Sequence, residues 1–325
     1  MKKKALITGV SGQDGSYLAE LLLQKDYEVY GLLRRTANKN TQRIEHLFNN
    51  KNFYIIYGDI TDQTSVINAL KVCNPHEVYN LAAQSFVGES WNQPLFTANS
   101  TAMGALNCLE AIRLVCPEAK FYQASSSEMY GKVQEVPQTE KTPFYPRSPY
   151  ATAKCFAHYS TVNYRESYNM FCCSGILFNH ESTRRGVEFV TRKITRSVAS
   201  IYLGLSDKIE LGNLDSKRDW GHAKDYVKAM WLMLQHNVPD DYVVCTGVTR
   251  SIRDLLTIAF NYVDIPNWDK YIKINKKYFR PAEVDILLGD NSKIKQTLNW
   301  EPEYTFEKMI EEMVRCDIED LKNNA

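Results

Sequence analysis

The segment Tyr150-Ala-Thr-Ala-Lys154 places a phenol and an ammonium group four residues apart. On a helix, this spacing puts both side chains on one face. A tyrosine phenol has a pKa of about 10, which a fixed positive charge nearby lowers. The pair therefore predicts a general base for a substrate hydroxyl, although Tyr and Lys also occur at this spacing by chance on helix surfaces.

Ser126 and Glu128 follow a run of residues typical of a buried strand. At the end of an extended strand, residues two apart point to the same side. Plain alcohol oxidation needs no carboxylate, so Glu128 predicts a second proton transfer, as in a dehydratase that works through a hidden redox cycle; its alternative is a solvated turn carboxylate. The predicted catalytic residues are Ser126, Glu128, Tyr150 and Lys154.

A glycine-rich loop near the N-terminus predicts a dinucleotide site. An apolar run leads into Gly9-Val-Ser-Gly12-Gln-Asp-Gly15 and then into a helical pattern. Gly9 permits a tight turn, Gly12 allows close approach of a pyrophosphate, and Gly15 lets the helix pack on the strand. A flexible turn is the alternative, but the order strand, loop and helix favours nucleotide binding.

Two arginines, Arg34 and Arg35, end the next strand-like run, where an NAD site usually offers a carboxylate to the ribose. Guanidinium groups suit a 2′-phosphate, so the sequence favours NADP. Solvated surface arginines remain the alternative.

The elements that must hold these residues alternate in the manner of a parallel sheet covered on both faces. The predicted strands are Ala5–Thr8, Glu28–Leu33, Phe53–Tyr57, Glu77–Leu81, Phe121–Ser125 and Phe171–Leu177. The predicted helices include Gln63–Val72, Thr97–Leu114, Ser148–Tyr168, Gly186–Leu203, the Arg218–His236 region and Ile252–Val263, followed by a terminal helix from Thr305.

We therefore predict an α/β fold, a Rossmann-type doubly wound parallel sheet with a smaller, mixed α/β C-terminal substrate-binding lobe. The expected division is discontinuous. Residues 1–180, together with part of 215–248, form the NADP-binding domain, and residues 181–325 form mainly the substrate-binding lobe.

Composition excludes several classes of protein. Lys and Arg number 39 and Asp and Glu 38, a net charge of +1, so no nucleic-acid partner is expected. No apolar run reaches the length of a membrane span and no leader pattern is present, so we expect no membrane association and a cytoplasmic location. The eight cysteines and six histidines lack metal-ligand spacing, which predicts no metal.

The motifs together resemble the extended short-chain dehydrogenase/reductases, and within them the GDP-mannose 4,6-dehydratase family. The superfamily pattern is the glycine loop, Leu81-Ala-Ala-Gln-Ser85, a serine-rich strand end and Tyr-x-x-x-Lys. The runs that resemble the narrower family are Gly12–Leu18, Pro143–Tyr150, Phe178–Ser182, Phe189–Arg196, Lys217–Tyr226 and Arg280–Asp285. They extend from the first strand to the C-terminal lobe.

The resemblance implies a nucleotide-sugar dehydratase with bound NADP, GDP-mannose as substrate, and a homodimer or homotetramer. It implies cofactor contacts by Gly9, Ser11, Gly12, Gln13, Asp14, Gly15, Arg34, Asp59, Ile60, Leu81, Ala82, Ala83, Ser85, Tyr150, Lys154, His180 and Arg185. It implies substrate contacts by Ser85, Ser126, Glu128, Asn179, Lys193, Arg218, Arg280 and Glu283.

Two alternatives stay open at this point. A dTDP-glucose 4,6-dehydratase would normally have Asp at the position of Ser126, and a 4-epimerase would not need Glu128. A protein that binds NADP without turnover commonly loses the tyrosine or the lysine. Phe86 departs from the family pattern, which usually has histidine after Ala-Ala-Gln-Ser.

Overall fold

A computed structural model describes residues 2–38, 40–279, 284 and 286–323. The strands of this part of the chain are β1 (Lys4–Thr8), β2 (Glu28–Leu33), β3 (Phe53–Tyr57), β4 (Glu77–Asn80), β5 (Lys120–Ser126), β6 (Cys172–Leu177), β7 (Asn179–Glu181), β8 (Ile209–Leu211), β9 (Lys217–His222), β10 (Asp241–Val244), β11 (Thr249–Ser251) and β12 (Ile272–Ile274). The α-helices are α1 (Gln13–Gln24), α2 (Gln63–Cys73), α3 (Pro94–Thr97), α4 (Gly104–Val115), α5 (Pro149–Tyr168), α6 (Val190–Tyr202), α7 (Ala223–Gln235), α8 (Ile252–Asn261), α9 (Ser292–Leu298) and α10 (Phe306–Asn323).

The central sheet has seven strands in the order β10-β6-β5-β4-β1-β2-β3, and all neighbours are parallel. The direction of winding reverses between β1 and β4. In doubly wound sheets, ligands bind outside the carboxyl ends of the strands at such a reversal. The structure therefore confirms the predicted Rossmann-type fold and locates its ligand crevice.

The sheet is buried on both faces. Successive side chains leave a strand on opposite sides, so Ile7 joins the core cluster that contains Leu18 and Met230, whereas Leu6 joins the cluster that contains Leu109. Helices α1 and α7 cover the first face, and α2 and α4 cover the second. This burial explains why the strands read as nearly continuous apolar runs.

The rest of the described chain forms smaller sheets and a separate helical core. Strand β9 pairs with β7 in parallel and with β11 in antiparallel fashion, and β8 pairs with β12. Helices α6, α8 and α10 share an apolar cluster that includes Trp220. Arg192 on α6 donates through Nε to Asp317 Oδ1 on α10 at 2.8 Å, so a buried ion pair also joins these helices.

Two sequence-based helix predictions are wrong. The Arg218–His236 region is a strand, β9, followed by α7, because Trp220 is buried in the lobe core and the backbone pairs with β7 and β11. The His222 side chain accepts from Lys224 N at 3.1 Å and so begins α7. The helix predicted from Gly186 begins only at Val190. The range 97–114 is helical as predicted, although its segment 98–103 is a π-helix between α3 and α4.

Candidate active site

The glycine loop forms a cradle at the carboxyl end of β1. Gly9 has a φ of +69°, and a Cβ there would lie 2.9 Å from Ala82 N. A Cβ on Gly15 would lie 2.3 Å from Gly9 O, so the start of α1 packs directly on the loop. Because the N-cap Gly12 has no side chain, it leaves the first-turn N–H groups of α1 to a bound anion. The cradle fits a dinucleotide pyrophosphate.

Thr8 connects the two strands at the reversal point. Its hydroxyl donates to Asn80 Oδ1 at 2.7 Å and accepts from the N–H groups of Leu81 and Ala82, both at 3.1 Å. Asn80 Nδ2 donates to Gln123 Oε1 at 2.9 Å, which continues the network onto β5. These buried hydrogen bonds hold the segment 81–83 against the glycine loop. Thr8 was not among the predicted site residues, although a threonine that ends a strand before Gly is a usable signal.

The other predicted cofactor residues at this edge follow neighbouring strands. Arg34 is exposed directly after β2, and Asp59 lies two residues after β3, where its Oδ1 accepts from Thr61 N at 2.9 Å. Ile60 is buried, and Ser85 is exposed beyond the segment 81–83. The fold thus brings the predicted cofactor residues to one side of the sheet.

Asp14 and His180 contact each other directly. His180 Nε2 lies 2.7 Å from Asp14 Oδ2, and Gln13 Nε2 donates to Asp14 Oδ1 at 3.0 Å. Burial alone would raise the pKa of Asp14, but the adjacent imidazole overcomes it and the pKa is lowered. Burial would likewise lower the pKa of His180, but Asp14 raises it. Both shifts favour an ion pair.

Helix α5 carries the predicted phenol and ammonium. Ser148 caps it by accepting from Ala151 N at 3.1 Å, and Pro149 occupies its first turn. Tyr150 and Lys154 are both buried, and Lys154 Nζ lies 5.7 Å from the Tyr150 ring centroid. The predicted pairing of the two side chains on one helix face is present.

Ser126 and Glu128 lie beside this pair, but in a different geometry from the one expected. The Ser126 hydroxyl lies close enough to the Tyr150 phenol to lower its pKa, and it accepts from Glu128 N at 3.2 Å. Strand β5 ends at Ser126, and Glu128 lies in a 3₁₀ turn, Ser127–Met129, so the extended-strand argument for Glu128 is wrong. The turn still places the buried carboxylate near enough to raise the pKa of Tyr150.

Burial, more than the neighbouring lysine, sets the pKa of the phenol. Burial raises the pKa of Tyr150 to about 12, although the nearby Ser126 hydroxyl acts to lower it. Burial also lowers the pKa of Lys154 to about 8. The pKa of the phenol is therefore raised in this arrangement, not lowered as expected from the neighbouring ammonium.

Three predicted substrate residues lie after β6, on β7, α6 and β9. Asn179 has a buried side-chain oxygen with no hydrogen-bond partner within the described ranges. Lys193 Nζ lies 3.5 Å from the centroid of the Tyr278 ring, and Arg218 is buried on β9. Tyr278 is a neighbour that the sequence did not indicate. Arg280 and Glu283 lie outside the described residues.

The loop after β7 turns back onto α1 of the same chain. Arg184 donates to Ser16 Oγ at 2.9 Å, and its guanidinium lies 4.0 Å from the Tyr17 ring centroid. Arg185 lies 3.0 Å from Glu181 and 3.6 Å from the Phe189 ring centroid. The loop therefore links the two sides of the crevice within one chain.

Other candidate sites are few. Among the residues that the structure describes, no cluster of three metal-ligating side chains occurs. An apolar cavity of about 530 Å³ lies between α3 and α5, lined in part by Trp91, Met103 and Phe156, and shares none of the predicted site residues. No helix within the described ranges combines the length and apolar character that crossing a bilayer requires.

Comparison with known proteins points to one family. The family profile described as GDP-mannose 4,6 dehydratase matches residues 6–313. A GDP-mannose 4,6 dehydratase from Drosophila melanogaster is 52% identical, with 99% of this chain and 88% of the relative covered. A GDP-mannose 4,6-dehydratase from Yersinia enterocolitica is 51% identical, with 99% and 96% covered.

Solved structures agree on the fold. A dTDP-glucose 4,6-dehydratase from Streptomyces venezuelae, solved with NAD, superposes with a TM-score of 0.88 over 98% of each chain. At 21% identity this likeness shows the fold alone. The family is shown by the profile and by the relatives with 51% and 52% sequence identity. From its fold, the constellation around Tyr150 and these full-length matches, the chain belongs to the GDP-mannose 4,6-dehydratase family.

Proposed function

We propose that the protein converts GDP-D-mannose to GDP-4-dehydro-6-deoxy-D-mannose. The reaction comprises transient oxidation at C4, proton removal at C5, loss of water from C6 and hydride return, which makes the enzyme a hydro-lyase. The observation that carries the proposal is the placement of Ser126, Glu128, Tyr150 and Lys154 around one point beside the glycine cradle.

The cofactor that we propose is NADP. When bound, a nicotinamide cofactor takes up a hydride from the sugar and later returns it. The Gly9–Gly15 cradle and the N-terminus of α1 fit its pyrophosphate. Arg34, exposed where β2 ends, is suited to a 2′-phosphate, which supports NADP over NAD.

Each catalytic side chain has a defined role in the proposed sequence. Tyr150 removes the proton from the sugar O4, while Ser126 hydrogen-bonds the same oxygen. Lys154 supplies the positive charge that stabilises the phenolate. The C4 ketone acidifies the C5 proton, which Glu128 removes and delivers to the departing C6 hydroxyl. Tyr150 then returns its proton to C5, so one water is lost overall.

The lobe side of the crevice would hold the GDP moiety. Lys193 and Arg218 are suited to the diphosphate. The buried side-chain oxygen of Asn179, which has no partner among the described residues, suits a donor on the substrate. We further propose the division into a cofactor domain, 1–180 with part of 215–248, and a lobe formed mainly by 181–325.

We also propose a homodimer or homotetramer. Large apolar side chains are exposed on neighbouring faces of α4 and α5 and the helical turn before α4, among them Met103, Phe156 and Tyr159. Exposed apolar area of this kind favours contact with another protein surface. The cytoplasmic location stays a prediction from the sequence.

The first experiment incubates the protein with GDP-mannose and catalytic NADP and follows the loss of one water by mass. We expect turnover by the wild type and a loss of at least about 100-fold in Glu128→Gln, because that variant lacks the C5 base. Glu118→Gln is the matched control, since Glu118 is exposed. Turnover of another nucleotide sugar, but not of GDP-mannose, would overturn the substrate assignment while leaving the cofactor proposal intact.

A further inference from the structure

His158 and Ser125 form a buried side-chain hydrogen bond between α5 and β5. His158 Nδ1 lies 3.0 Å from Ser125 Oγ, and the exposed fractions of the two residues are 5% and 3%. His158 follows Lys154 by four residues, as Lys154 follows Tyr150, so the three side chains share one helix face. The proposed catalytic steps do not use this histidine.

The three side chains on this face contact three consecutive residues of β5. The Tyr150 phenol lies near the Ser126 hydroxyl, which lowers its pKa, and Lys154 Nζ donates to the Ala124 carbonyl oxygen at 2.7 Å. The His158 contact falls on the residue between them. Three contacts on successive turns fix how far α5 is advanced along β5.

We propose that His158 is a positioning residue, which through Ser125 sets the register of α5 on β5 and thereby the place of the Tyr150 phenol. Its kinetic consequences rest on the proposed dehydratase function. Acid-base catalysis depends on hydrogen-bond distances between base and substrate, so a small shift of the helix would slow the reaction.

The electrostatic surroundings of His158 suit this role. Burial lowers its pKa, with Arg165 acting in the same direction and Asp241 against it. Arg165 and Asp241 form a bidentate pair at 3.0 and 2.7 Å, so each largely offsets the other. A neutral imidazole keeps one hydrogen bond over a wide pH range, which favours positioning over proton transfer.

Apart from Lys154, the charged groups that face Tyr150 come from elements other than α5. Glu128 lies in the turn after β5, Arg185 in the loop after β7 and Asp14 in the first turn of α1, while Lys154 lies on α5 itself. A displacement of α5 changes the distance from the phenol to all of the groups on other elements. The titration of the phenol therefore reports the position of the helix.

Phenylalanine is the informative replacement for His158. The Phe144 ring packs edge to face on His158 at 5.2 Å between centroids, and a benzene ring preserves that contact while removing the hydrogen bond. His158→Asn provides the conservative rescue, since a carboxamide can place a polar atom near the position of Nδ1. Ser125→Ala removes the same bond from the strand side.

Thr161→Ala is the matched control. Thr161 is buried on α5, and its hydroxyl donates to Ala157 O at 2.8 Å within the same helix. The variant thus perturbs α5 without removing a hydrogen bond to β5. It separates loss of register from general weakening of the helix.

The test measures kcat and KM for GDP-mannose and, without substrate, the ultraviolet difference titration of Tyr150, identified by its loss in Tyr150→Phe. We expect His158→Phe and Ser125→Ala to lower kcat by roughly 10- to 100-fold with little change in KM, since misplacement of about 1 Å can cost that much. We expect both variants to shift the phenol titration, His158→Asn to recover most of kcat, and Thr161→Ala to resemble the wild type.

Two results would overturn the proposal: wild-type kcat and phenol titration in both His158→Phe and Ser125→Ala, or equal effects in these variants and Thr161→Ala. If His158→Phe does not fold, Ser125→Ala decides the role of His158, because this variant removes the same hydrogen bond by deleting a single oxygen atom. If the wild type does not turn over GDP-mannose, the proposed function fails, whereas the phenol titration still decides the role of His158.

Discussion

Asp14 and His180 join the start of α1 to β7, with Oδ2 and Nε2 2.7 Å apart. On its other side, His180 Nδ1 lies 2.8 Å from Phe178 O, and the ring stacks on Tyr226 at 4.5 Å. A carboxylate in the first turn of a helix that binds an anion would repel it. Because His180 neutralises the carboxylate, the pair fixes the loop without that repulsion.

We expect His180→Gln to be less stable than the wild type by about 1 to 3 kcal/mol at pH near 6, the usual effect of removing a partner from a charged hydrogen bond. The raised pKa of His180 means that its contribution is fully present below the unfolded value of about 6.5 and is lost as pH rises through the folded pKa. Denaturant unfolding of both proteins across this range tests the sign.

The lowered pKa of Asp14 makes stability depend on pH in the opposite direction, on the acid side. Its contribution is present above the unfolded pKa of about 3.9 and is lost as pH falls through the folded value. The stability difference between wild type and His180→Gln should therefore shrink at alkaline pH and also in strong acid. A difference that does not vary with pH would contradict the ion pair.

A second prediction concerns the pH dependence of the rate. The reactive form of the Tyr150–Lys154 pair, phenolate with ammonium, has lost one proton. With pKa values of about 12 for the phenol and about 8 for the ammonium, the pair loses its first proton near pH 8. The reactive form is then a constant fraction of the singly deprotonated pair. We expect kcat/KM to rise up to about pH 8 and then to level off.

The control for this profile is Lys154→Met. Without the ammonium the phenol titrates alone, so the rise should move to higher pH and the rate at neutral pH should fall by at least about 100-fold. Binding of NADP, measured separately, distinguishes lost catalysis from lost cofactor. If kcat/KM rises over the same pH range in Lys154→Met as in the wild type, another group controls the pH dependence.

The sequence predicts the central sheet well because apolar runs and turn residues mark its strands. Strands β2 and β3 agree with the prediction to the residue. The sequence does not predict strand β9. This strand forms by pairing with β7 and β11, which are distant in sequence or too short to recognise. Local patterns report burial but not the partner that receives it.

The candidate site likewise has features that the sequence predicts and features that depend on tertiary packing. Residue types and spacing identify Tyr150 and Lys154, because a helix converts a spacing of four into a shared face. They do not reveal that Glu128 lies in a 3₁₀ turn or that burial raises the pKa of Tyr150. Both properties arise only when β5 and α5 pack together. The His158 contact with Ser125 is tertiary for the same reason.

The glycine cradle provides a third prediction, a ranking of two alanine variants. In Gly15→Ala the new Cβ would lie 2.3 Å from Gly9 O, whereas in Gly12→Ala it would lie 3.1 Å from the same atom. Overpacking of this kind costs roughly 1 to 3 kcal/mol, so Gly15→Ala should be clearly the less stable. Thermal unfolding gives the ranking; equal melting temperatures would contradict the geometry.

The last prediction tests the choice of cofactor. Arg34 is exposed at the end of β2, and charge-assisted hydrogen bonds contribute about 1.5 to 3 kcal/mol each. If Arg34 binds the 2′-phosphate, Arg34→Ala should weaken NADP binding by roughly 10- to 100-fold and NAD binding much less.

Fluorescence titration with both cofactors measures the ratio of the two affinities. Arg35→Ala shows whether the neighbouring arginine shares the role. Lys51→Ala is the matched control, because Lys51 is an exposed cation before β3. Equal loss of affinity for both cofactors would mean that Arg34 supports the fold of the loop rather than the 2′-phosphate.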